Sequence, residues 1–98
     1  MQKKIDDTIE RLNGMEVNGY HVSGMEVRGY HADVVEFCLS LESPVGLRFM
    51  MIARVSNKAI ENDKFDLYEF MTEKIKLSVR MIDKHYLTDK NYSTIRTK

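Results

Sequence analysis

Two runs of strict alternation constrain this chain more than anything else in it. Val35, Phe37, Leu39 and Leu41 alternate with Glu36, Cys38, Ser40 and Glu42, which is the two-residue period of a strand with one buried face. After the turn Ser43-Pro44-Val45-Gly46, the residues Leu47, Phe49, Met51, Ala53 and Val55 repeat the pattern, and Arg48 and Arg54 mark the other side. An antiparallel hairpin over 33–56 is therefore expected. Met50 and Ile52 fall on its nominally outer face. Apolar residues there predict a strand that is covered on both sides or meets a partner, and these two are the candidate protein-interface residues.

The apolar face needs a cover, and two helical segments can supply it. Ile5, Ile9 and Leu12 have helical spacing within 3–12, and Asn13-Gly14 follows as a stop signal. Over 64–86, Phe65, Tyr68, Met71, Ile75, Ser78 and Ile82 recur at steps of three and four, with Leu67, Phe70 and Met81 widening the stripe. This long helix has two candidate caps, Asp66 paired with Glu69 in a capping box, or Asp63. Residues 56–63 read as a loop or one short helical turn, and 87–98 as a polar tail without periodicity. The fold class expected is α+β: one domain with a small antiparallel sheet of three to four strands, a short N-terminal helix and a long C-terminal helix packed on one face.

Residues 14–31 say one phrase twice. Gly-Met-Glu-Val-Asn-Gly-Tyr-His at 14–21 returns at 24–31 with Arg28 in place of Asn18. A period of ten preserves the side of a strand and rotates around a helix, so a hairpin is expected. In one arrangement each copy is a glycine-kinked strand and Val22-Ser23-Gly24 is the turn. In the other, Asn18-Gly19 makes a two-residue turn inside the first copy. The first is the preferred expectation, since Gly19 and Gly29 then mark weak points or bulges in two paired strands.

Composition excludes several classes of function. Fifteen basic and fifteen acidic side chains cancel, so no whole-molecule field draws the chain to nucleic acid or an anionic membrane. Cys38 is the one cysteine and has no intrachain partner. The N-terminus is charged where a signal peptide is apolar, which together with Cys38 points to the cytoplasm. No apolar run approaches the length of a membrane span. Motifs for a nucleophile elbow, phosphate loop, dinucleotide fold or kinase loop are absent, so no enzyme activity, catalytic residue or cofactor is expected. Glu16, His21, Glu26 and His31, with Cys38 and His85, are competent metal ligands, but their spacing fits no known knuckle or helix pair, and no metal is expected.

Three binding readings remain. The leading one is a non-enzymatic regulator or inhibitor that acts by protein contact, of the kind made by mobile elements or phages; seven methionines suit adaptable contacts, and edge strands favour a homo-oligomer. The second is a small-ligand or nucleotide binder that grips its ligand with Tyr20, His21, Arg28, Tyr30 and His31. The third is nucleic-acid binding by the C-terminal segment, where Lys74, Arg80 and Lys84 belong to a stretch over 72–98 with seven basic and three acidic residues.

Overall fold

The computed structural model describes residues 1–88, with side chains through Lys84. The helix α1 (Gln2–Leu12) leads into β1 (Glu16–Val17), β2 (Tyr20–His31), β3 (Val34–Glu42) and β4 (Arg48–Ser56), followed by α2 (Asn57–Glu61) and α3 (Leu67–Thr88). The strands form one antiparallel meander in the order β1-β2-β3-β4. The protein is thus α+β, with a short N-terminal and a long C-terminal helix.

Alternation in β3 divides the sheet into two different faces. Val35, Phe37, Leu39 and Leu41 are buried with Val22, Met25, Ala53 and Val55 beneath Ile5 and Leu12 of α1 and Leu67, Met71, Ile75 and Val79 of α3. Both helices therefore serve the same face. Thr8, buried in α1, satisfies its hydroxyl by donating to the Lys4 carbonyl at 2.7 Å. Lys4 in turn donates to the carbonyls of Ile60 and Asn62 at 2.6 and 2.8 Å, closing the C-terminal end of α2 with a cation.

The helix starts follow their caps. Ser56 accepts from the Ala59 amide at 3.0 Å and begins α2, so residues 57–61 are a short helix. Asp66 accepts from the Glu69 amide at 3.0 Å, and α3 accordingly begins at Leu67, later than the expected 64. The helix continues through Thr88, two residues past the expected 86. The remainder of the expected tail, 89–98, lies outside the described residues.

The doubled phrase does not form a hairpin of two equal strands. The turn is Asn18-Gly19, with φ of 50° and 84° and Val17 facing Tyr20, while 22–24 belong to β2, which runs on through the second copy to pair with β3. Asparagine and glycine tolerate this left-handed backbone, and arginine does not at low cost. In the second copy, Arg28 is the extra residue of a β-bulge between Val27 and Gly29, and Ser23 is the extra residue of another between Val22 and Gly24. Both devices solve one problem. Residues three apart on a regular strand point to opposite faces, yet Val17 and Tyr20 share a face across the turn, and Val27 and Tyr30 share one across the bulge.

Gly19 carries a second constraint, because a Cβ there would lie 2.9 Å from Pro44 Cγ. The first hairpin and the β3–β4 loop therefore meet closely. Asn18→Arg, which makes the two copies identical, is expected to cost about 1–2 kcal/mol by imposing the left-handed region on a long side chain. Urea unfolding measures it. An unchanged midpoint with the turn intact would show that position 18 does not decide how the phrase folds.

Candidate protein-binding surface

The repeated Tyr-His pairs are not brought together. Ten residues separate Tyr20 from Tyr30, and two of them are spent on bulges, leaving eight ladder steps or about 25 Å along the strand. Tyr20 is only 5% exposed, donates its hydroxyl to Asp83 Oδ1 at 2.8 Å, and lies with its ring 6.5 Å from that of Phe49. It closes one end of the core. Tyr30 is 56% exposed and its hydroxyl meets Gln2 Oε1 at 3.1 Å. His21 and His31 are exposed near opposite ends of β2, opposite Glu42 and Val34. Arg28 points from its bulge to Glu36, 3.5 Å from Oε1.

The charged residues of α3 also separate. Arg80 and Lys84 are one turn apart, but six helical steps turn Lys74 about 120° away from Arg80. Lys90, Arg96 and Lys98 lie outside the described residues. Among the described residues no group of three potential ligands is placed to hold a metal ion, and the His85 side chain falls outside them. No helix among the described residues is long and apolar enough to cross a membrane.

The uncovered face of the sheet is built in rows across three strands. At one end Glu36 accepts from Arg54 at 2.7 Å and also faces Arg28, so two guanidiniums share one carboxylate, and Glu26 stands in the next row opposite Cys38. In the middle, Cys38 pairs with Ile52 and Ser40 with Met50, and the Ser40 hydroxyl reaches Met50 Sδ at 3.6 Å. At the other end Arg48 is 3.9 Å from Glu42, a loose and exposed pair worth little. Met50 is 69% exposed. Nothing among the described residues covers it or Ile52, so the outer-face apolar residues are bare on this side and not buried between two layers.

An apolar groove opens beside them. Leu41, Phe49, Met50 and Met51 face Ser78, Met81 and Ile82 of α3 around a space of about 410 Å³. The Ser78 hydroxyl reaches Met51 Sδ at 2.7 Å, and Met81 is 60% exposed. Of the large apolar side chains exposed among the described residues, Met50 and Met81 line this groove, and Ile52 lies two residues along β4 from Met50. Met50 and Ile52 were legible in the sequence as breaks in polar alternation. Leu77 and Met81 belong to one flank of α3, four residues apart, and only the direction in which α3 crosses the sheet brings Met81 to the strand.

The two tyrosines predict unequal costs. Tyr20→Ala is expected to destabilise by about 3–5 kcal/mol, as removal of a buried aromatic does, and Tyr30→Ala by less than about 0.5 kcal/mol. Urea titration distinguishes them; equal losses would contradict the separate environments described here. Compared with known proteins, this chain matches no family model, no curated protein and no solved structure.

Proposed function

We propose that this is a non-enzymatic binding protein, a small regulator or inhibitor of another protein, and that it makes contact through the side formed by β4 and the adjoining flank of α3. The observation that carries the reading is the exposure of Met50 and Met81 around one groove, with exposed Ile52 two residues along β4 from Met50. Scattered exposed apolar residues need no explanation, but a contiguous group beside an uncovered sheet face suits a contact surface. Methionines lend themselves to it, because flexible thioethers repack against a partner at low cost. Cys38, buried and outside any disulfide, suits work in a reducing cytoplasm.

The rival small-ligand reading loses its main support with the separation of Tyr20 from Tyr30. A photo-crosslinking amino acid placed at Met50, Met81 or Tyr30 in the cells that make the protein tests the choice. Protein adducts from Met50 and Met81, with none from Tyr30, are expected. Adducts from Tyr30 alone, or from no position, would contradict contact through this side.

A further inference from the structure

The sheet has two edges, and they are not alike. Along β2, bulges at Ser23 and Arg28 interrupt the stretch that β1 leaves uncovered, and such interruptions disturb the regular row of amides that an incoming strand needs. β4 pairs with β3 over nine residues without a register shift. It contains no proline, glycine or lysine, and among the described residues no strand lies along its outer edge. Proline, glycine and bulges, which blunt an edge, are missing here, and its charges are Arg48 and Arg54 near its ends.

Apolar and charged groups flank this edge in an ordered way. Phe49 and Met51, with Ser78 and Met81, line the groove on the helix side, and Met50 and Ile52 lie on the open side. Arg48 and Arg54 stand near the two ends of β4, and Lys74 precedes Ser78 by one turn on the same flank of α3. Arg48 has only a loose contact with Glu42, and Arg54 shares Glu36 with Arg28. The edge strand itself thus carries two arginines and no acid, their carboxylate partners Glu42 and Glu36 belonging to β3. A second copy does not answer that charge: pairing β4 with itself about Met51 sets each copy's Arg48 opposite the other's Arg54, and pairing about Ile52 leaves them diagonal neighbours.

We propose that β4 accepts an extended acidic strand from the partner protein. The incoming strand continues the sheet through backbone hydrogen bonds, sets apolar side chains against the Met51–Met81 groove, and turns carboxylates toward Arg48 and Arg54 on the open side. The inference rests on the protein-binding reading above and adds the chemistry of the partner. Phosphates of a nucleic acid would meet the cations but leave the groove and the free strand edge unused.

The probe is the blocked heptapeptide Glu-Val-Thr-Leu-Thr-Val-Glu, titrated to millimolar concentration into the full chain and followed by backbone amide NMR. The lysine-ended peptide Lys-Val-Thr-Leu-Thr-Val-Lys and an oligothymidylate are titrated in parallel. The acidic peptide is expected to shift amides of β4 and of α3 around Lys74 to Met81, while those of β2 stay in place. Arg48→Glu combined with Arg54→Glu, both at exposed positions, is expected to weaken it about tenfold or more and to strengthen binding of the lysine-ended peptide. Silence of β4 toward the acidic peptide, equal binding of both peptides, or tighter binding of oligothymidylate at this edge would overturn the proposal. So would a dimer that takes the peptide only as it dissociates, or binding that appears only after removal of residues 89–98, since another occupant would then hold the edge. A protein crosslinked at Met50 together with a silent β4 would retain the protein-binding reading and remove strand addition alone.

Discussion

The structure depends on the inner row of β3. Val35, Phe37, Leu39 and Leu41 are almost wholly buried, each contributing on the order of 1.5–3 kcal/mol, so together they rival the roughly 5–15 kcal/mol net stability of a small domain. Every other element is arranged around that row. β2 and β4 flank it, α1 and α3 cover it, and the caps at Ser56 and Asp66 turn the chain back across the sheet. With α1 and α3 committed to the inner face and Ile60 of α2 in the same core, no described helix remains for the outer one. The bare face and the open edge of β4 are consequences of where the core was placed.

The strict alternation in 35–41 made the sheet legible, because burial on one side leaves a two-residue period that survives without knowledge of the partner strands. The helices were legible for the same reason at their own period. Position 18 was harder. Treating the copies as equivalent favoured a turn between them, whereas the long ladder from β2 to β3 requires residues 22–24 to continue as strand, and such long-range pairing has no local signature. The bulges stayed hidden too, since two extra residues between Tyr20 and Tyr30 keep the parity of a period of ten.

For the surface, the sequence carried half of the information. Met50 and Ile52 stood out because they interrupt a polar face, but Met81 read as part of the core stripe and Lys74 as one of a basic group with Arg80 and Lys84. Tertiary geometry reassigns both. Asp83 turns toward Tyr20 while Ser78 and Met81 turn toward β4, and this rotation of α3 decides which of its residues join the strand. Repetition in sequence, by contrast, did not mean proximity in space: one tyrosine closes the core, and the other stands exposed at the far end of the same strand.

The most direct measurement is residue-resolved amide hydrogen exchange on the full chain alone at micromolar concentration. An open edge predicts that β3 amides exchange only with global unfolding, whereas alternate amides of β4, those turned away from β3, exchange faster by about a hundredfold or more. Uniform protection along β4, equal to that of β3, would show the edge already occupied and contradict the account.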